Sequence, residues 1–129
     1  LDYLFVYVTL QRGSERAMHR VLVRGAEFVG EAAFQGCLYN VGYYPGVVES
    51  DDPGDVTYGE VYRLREREML LALLDDYEGC GEEAEPPTEY RRVRRPVRLA
   101  DGRLLTAWVY LYNFPTDGLE RIPEGRFRV

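Results

Sequence analysis

Tyr90-Arg91-Arg92-Val93-Arg94-Arg95-Pro96-Val97-Arg98-Leu99-Ala100-Asp101-Gly102-Arg103-Leu104-Leu105-Thr106-Ala107-Trp108-Val109-Tyr110-Leu111-Tyr112 is the stretch on which the fold turns. Two runs rich in β-branched and aromatic residues flank Asp101-Gly102, a dipeptide that favours the tight turns of β-hairpins. The stretch predicts antiparallel strands from Tyr90 to Leu99 and from Leu104 to Tyr112. Arg91, Arg92, Arg94, Arg95 and Arg98 crowd the first strand. Their plain reading is a charged sheet edge that balances an acidic molecule and discourages strand addition, with an anion site as the alternative.

Moving toward the N-terminus, Gly81-Glu82-Glu83-Ala84-Glu85-Pro86-Pro87-Thr88 is acidic and proline-bearing, the composition of a mobile surface loop or lid. Before it, Met69, Leu70, Leu73, Leu74 and Tyr77 recur at helical spacing, and Gly79 supplies a residue that commonly ends helices in a left-handed cap. Glu78 therefore falls in or next to the last turn. The negative end of the helix dipole disfavours a carboxylate there by a few tenths to about 1 kcal/mol, which makes it a readier proton acceptor near neutrality. The alternative is a solvated glutamate at a helix end.

Further upstream, Leu4 to Val8 reads as a strand buried on both faces, running into a turn at Thr9 to Ser14 and then a short helix that Gly25 ends. Ala26 to Asn40 reads as a long strand kinked at Gly30 and Gly36. Gly42 to Gly46 reads as a turn, Val47 to Glu49 as a short strand, Asp51 to Asp55 as an acidic turn, and Thr57 to Leu64 as a strand. Asn113 to Val129 reads as irregular. Strands joined by hairpin-like turns, with two short helices inserted, predict an α+β domain over residues 1–129. Its centre is a mixed, curved sheet or small barrel with helices packed on it.

Composition narrows the chemistry. The chain has 129 residues, 46% of them apolar, and a formal net charge of -6, which argues against a large phosphate-binding surface and against nucleic acid as a partner. All basic residues except His19 are arginines, so lysine Schiff-base chemistry is excluded. His19 lies in a polar helical context, and Cys37 and Cys80 are the only cysteines, so no metal-type spacing is present. The cysteines read as free thiols. With no apolar run near 20 residues and no signal-like segment, the expectation is a cytoplasmic protein without a membrane partner. What remains for chemistry is a carboxylate near a helix end, the backbone amides after the first strand, and eleven tyrosines.

Those residues carry a resemblance. Phe5-Val6-Tyr7-Val8-Thr9-Leu10-Gln11-Arg12-Gly13 resembles the FVYGTLRRG opening of the γ-glutamylcyclotransferase-like superfamily, and Leu74-Asp75-Asp76-Tyr77-Glu78-Gly79 is similar to its LDxYEG helix end. Gly36-Cys37-Leu38-Tyr39, Tyr44-Pro45-Gly46, Gly59-Glu60-Val61-Tyr62, Glu89-Tyr90-Arg91-Arg92 and Ala107-Trp108-Val109-Tyr110 follow in the family's order. It looks most like the small branch with γ-glutamylamine cyclotransferase, the butirosin-pathway cyclotransferase and the AIG2-like proteins.

The resemblance implies a mixed β-barrel and a cofactor-free reaction on a small γ-glutamyl amine or peptide. The α-amine attacks its own γ-carbonyl, releasing 5-oxoproline. It assigns Glu78 as general base and acid, and the loop Tyr7, Val8, Thr9 and Leu10 as a source of backbone donors to the substrate. Tyr44 and Tyr110 are expected to line the pocket, with Tyr112 or Phe114 as alternatives to Tyr110. Val8 stands where the family has glycine, and a β-branched residue there favours one further reading, a silent binding or regulatory protein that keeps the fold.

Overall fold

The computed structural model of the protein describes residues 2–7, 20, 22 and 24–127. Its elements run β1 (Asp2–Val6), β2 (Ala26–Asn40), β3 (Pro45–Glu49), β4 (Val56–Leu64), α1 (Arg67–Tyr77), β5 (Tyr90–Leu99), β6 (Leu104–Tyr112) and β7 (Glu120–Arg121). Arg20, Leu22, Arg24 and Gly25 are also helical, and β2 begins immediately after them. Val8, Thr9, Leu10 and His19 lie outside the described residues.

The sheet closes on itself. β4 pairs antiparallel with both β2 and β1, β1 meets β6 in parallel at Leu4 and Trp108, β6 pairs antiparallel with β5, and β5 returns to β2 at Leu99 and Arg98. The result is a mixed five-stranded barrel. β3 attaches to β2 and, in parallel, to β6, while β7 adds a short pairing to β2. Closure needs curvature, and β2 provides it through a bulge between Phe28 and Gly30, beside one of the expected kinks.

Strand alternation sorts the apolar residues into two cores. Phe5, Phe34, Val61, Val97, Val109 and Leu111 fill the barrel, together with Tyr7. Leu4, Tyr62, Leu64, Tyr90, Tyr110 and Tyr112 point the other way and meet α1. Leu4 and Phe5 are each 1% exposed, so β1 is buried on both faces as its unbroken apolar run predicts.

Three sequence expectations need correction. Pro45 and Gly46 belong to β3, and the turn lies before them, where the Val41 N–H donates to the Tyr44 carbonyl at 2.9 Å. A proline is tolerated as the first residue of a strand, and glycine is required next because a Cβ at Gly46 would lie 2.8 Å from Tyr112. The arginine-rich β5 is no bare edge, since it is bonded along β6 and closes onto β2. In α1 the buried residues are Leu70, Leu71 and Leu74, whereas Met69, Leu73 and Tyr77 are exposed. Both stripes have helical spacing, and only contact with the barrel wall decides which is covered; each buried leucine then contributes about 1.5–3 kcal/mol. Segment 81–88 is irregular and largely exposed, as its composition predicts.

Candidate functional site

α1 ends in a complete C-terminal cap. The Glu78 N–H donates to the Leu74 carbonyl at 2.9 Å, the Gly79 N–H to Asp76 at 3.2 Å and the Cys80 N–H to Asp75 at 2.9 Å. Gly79 takes φ 75°, the left-handed conformation expected of it, so the last two bonds form a Schellman motif. The motif fixes Glu78 at a defined turn, half-buried, and it is the residue from which the chain leaves the helix.

Among the described residues, the Glu78 carboxylate acts on the phenols of Tyr7 and Tyr90. Tyr7 is 9% exposed, and its hydroxyl donates to the Tyr110 carbonyl at 2.6 Å. Burial pushes the Tyr7 phenol far above the usual tyrosine range, and the Glu78 carboxylate adds to that push. Tyr90, whose hydroxyl donates to the Pro45 carbonyl at 2.5 Å, is raised first by burial and then by the fields of Tyr7, Glu78 and Glu89. Both phenols therefore stay protonated and act as fixed hydrogen-bond donors. Tyr90 is the hub that connects Glu78 to an outer aromatic rim. Its ring lies 6.3 Å from Tyr44 and 5.7 Å from Tyr112, which lies 6.1 Å from Phe114.

Three residues before Glu78, the carboxylate of Asp75 has a different setting. Arg92 grips it with two bonds, Nε to Oδ1 at 2.7 Å and an amino nitrogen to Oδ2 at 3.1 Å, and the Tyr110 hydroxyl donates to Oδ1 at 2.7 Å. The Arg92 guanidinium also stacks 4.3 Å from the centre of the Trp108 ring. This cluster pins α1 to the outer face of β5 and β6. Cys80 lies near both carboxylates, and its thiol is pushed up to about 11 by burial, with Asp75 and Glu78 adding to it. A thiol with so little thiolate at neutral pH is a poor nucleophile.

The structure thus brings together Glu78 and Tyr7, and sets Tyr44 at the rim of the same region. Tyr110 contributes its carbonyl to Tyr7, while its own hydroxyl is bound to Asp75; Tyr112 is the neighbour whose ring joins the rim. Sequence reasoning passed over Asp75, Arg92, Tyr90 and Glu89. Arg92 looked like one of five edge arginines, and only the pairing of an acid three residues before Glu78 with a strand position facing it could have signalled the clamp. A separate groove of about 610 Å³, lined by Leu71, Asp76, Glu82, Arg92 and Trp108 among others, does not reach Glu78, Tyr7 or Tyr44. Among the described residues no group of acids, cysteines and histidines is arranged to hold a metal ion. Likewise, no helix is long and apolar enough to cross a membrane.

Residues 4–129 match the family model described as gamma-glutamyl cyclotransferase, AIG2-like. The chain belongs to the AIG2-like γ-glutamylcyclotransferase family. It is 33% identical over 126 residues to the γ-glutamylcyclotransferase family protein YtfP of Escherichia coli K12, covering 95% of this chain and 92% of that one. It is also 30% identical over 111 residues to the γ-glutamylaminecyclotransferase of Rattus norvegicus, covering 78% of this chain and 66% of the relative. The solution structure of E. coli ytfP superposes with a TM-score of 0.64 at 28% identity, covering 97% of this chain and 95% of that structure. The five-stranded barrel is thus the fold of this γ-glutamylcyclotransferase family.

Proposed function

We propose that the protein is a cofactor-free cyclotransferase that releases 5-oxoproline from a small γ-glutamyl amine or peptide, with Glu78 as the proton-transfer group. The observation that carries this reading is the half-buried Glu78, set by the helix cap where its charge acts on the buried phenols of Tyr7 and Tyr90. Family membership supports the reaction class.

In this reaction the substrate supplies its own nucleophile. Folding the γ-glutamyl group so that its α-nitrogen faces the γ-carbonyl can by itself remove roughly 7–11 kcal/mol of the barrier. Glu78 accepts a proton from the α-ammonium, freeing the lone pair that then forms the new C–N bond, and delivers that proton to the departing nitrogen as the old C–N bond breaks. The ring nitrogen's surplus proton and the last proton of the released amine exchange with solvent. Fixed donors near the developing oxyanion contribute most when water is excluded; the amides of Tyr7, Val8, Thr9 and Leu10 are proposed for that role. Tyr7, tied to the Tyr110 carbonyl, forms a rigid wall beside Glu78.

Product identity tests the reading. Wild-type protein should convert γ-glutamyl amines or γ-glutamyl dipeptides to 5-oxoproline, and glutamate as the product would instead mean attack by water. Val8 favours the second reading, a silent binding protein. If wild type releases nothing and Val8→Gly restores 5-oxoproline release, the wild-type protein is not an enzyme of this kind.

A further inference from the structure

Beside Glu78 the structure builds a second acidic feature that the cyclisation does not need. Glu89 directly precedes β5, and the bonds on both sides of it are fixed. Its carbonyl accepts from the Asn113 N–H at 2.7 Å, the Asn113 side-chain amide donates to the Thr88 carbonyl at 2.9 Å, and the Thr88 hydroxyl donates to the Tyr90 carbonyl at 2.7 Å. One carboxylate oxygen, Oε2, accepts from the Tyr44 hydroxyl at 2.7 Å. Among the described residues no arginine forms an ion pair with Glu89, including Arg91 two positions along the strand. Tyr44, which bonds it, is 39% exposed, and its ring leads through the buried Tyr90 and Tyr112 to Phe114, 36% exposed. The Tyr44 phenol is pushed up to about 12, first by its hydrogen bond to Glu89, so it stays protonated and remains a donor to that carboxylate.

Aromatic rings beside a carboxylate that no described arginine pairs with are the chemistry that recognises an organic cation. Glu78 and Glu89 both act on the Tyr90 phenol, so this rim adjoins the proposed reacting centre and can take the part of the substrate beyond the scissile amide. A leaving group bearing a free carboxylate would meet like charge there. A neutral alkyl amine would gain only the ring contacts.

Resting on the proposed cyclotransferase reading, we infer that Glu89 and the rim of Tyr44, Tyr112 and Phe114 determine specificity by binding a positive charge on the leaving amine, so that the preferred substrate is the γ-glutamyl derivative of a diamine. The scissile nitrogen is one end of the diamine, and the second, protonated amine sits at Glu89. Because that charge is remote from the reacting atoms, its binding changes KM more than kcat.

The test compares γ-glutamyl-1,4-diaminobutane with γ-glutamyl-butylamine, which has the same chain length and no second charge. Calorimetric Kd values measured on Glu78→Gln protein, chosen to suppress turnover, read recognition independently of chemistry. The diamine derivative should bind about tenfold tighter, a difference of about 1.4 kcal/mol. Glu89→Gln in that background should abolish the difference, and Tyr44→Leu should reduce it while leaving Glu89 in place. Circular dichroism of both variants checks that the barrel is intact. Equal affinity for the two compounds, binding of neither, or a preference that survives Glu89→Gln would overturn the inference. Failure of wild type to release 5-oxoproline from either compound, with the affinity difference present, would overturn the proposed reaction and leave the cation site standing.

Discussion

Asp75 and Glu78 sit three residues apart at the end of one helix and have opposite surroundings. Asp75 faces the arginine-lined wall of β5, where two bonds from Arg92 and one from Tyr110 occupy it. Glu78 is carried round to the barrel end, where its field falls on Tyr7 and Tyr90. The difference teaches that position on the helix, more than residue type, gives one carboxylate to architecture and leaves the other open for the proton transfer proposed for it. The clamp at Asp75 also sets the direction in which α1 delivers Glu78.

The largest stability effect should come from breaking the clamp. Asp75→Ala leaves the Arg92 charge and the Tyr110 hydroxyl partly buried without their acceptor, and denaturant unfolding should show a loss of about 2–3 kcal/mol. A loss under about 0.5 kcal/mol would mean that Asp75 is not the structural member of the pair. Tyr7→Phe should cost less, about 1–2 kcal/mol, because it removes the donor to the buried Tyr110 carbonyl and leaves the ring in place. If Tyr7 only walls the site, this variant keeps most of its turnover; a thousandfold loss would make the phenol a participant and blur the comparison.

The smallest effect concerns a carboxylate remote from both. Hydrogen bonds from Ser50 and then Arg121 hold Asp55 down to about 2, against an ordinary value of 3.8. A folded-state pKa below the unfolded one stabilises at pH values above 3.8, and that stabilisation is lost as pH falls through about 2. Asp55→Asn should therefore flatten the decline of Tm between those two values and leave 5-oxoproline release at neutral pH unchanged. A wild-type-like acid profile in the variant would remove Asp55 from the account.

Much of the fold could be read in the sequence because its signals are local. Asp101-Gly102 marked the β5–β6 hairpin with its ends in place, and Gly79 marked the cap that fixes Glu78. The residues missed were those whose role depends on what lies opposite. Arg92 differs from Arg91 or Arg98 only because α1 sets Asp75 above it, and Leu71 replaces Met69 as a core residue only because of the helix's rotation on the barrel. Tyr90 and Glu89 follow a proline-rich loop and carry no periodic signal; closure of β5 onto β6 makes Tyr90 a hub and aims Glu89 at Tyr44.

The contrast between the two carboxylates is tested most directly by one variant measured in two ways. Glu78→Gln keeps the shape of the side chain and removes its capacity to carry a proton, so its unfolding free energy should stay within about 0.5 kcal/mol of wild type. Its rate of 5-oxoproline release should fall by about 10²–10⁴-fold. Turnover at the wild-type rate in a folded Glu78→Gln protein would contradict the account.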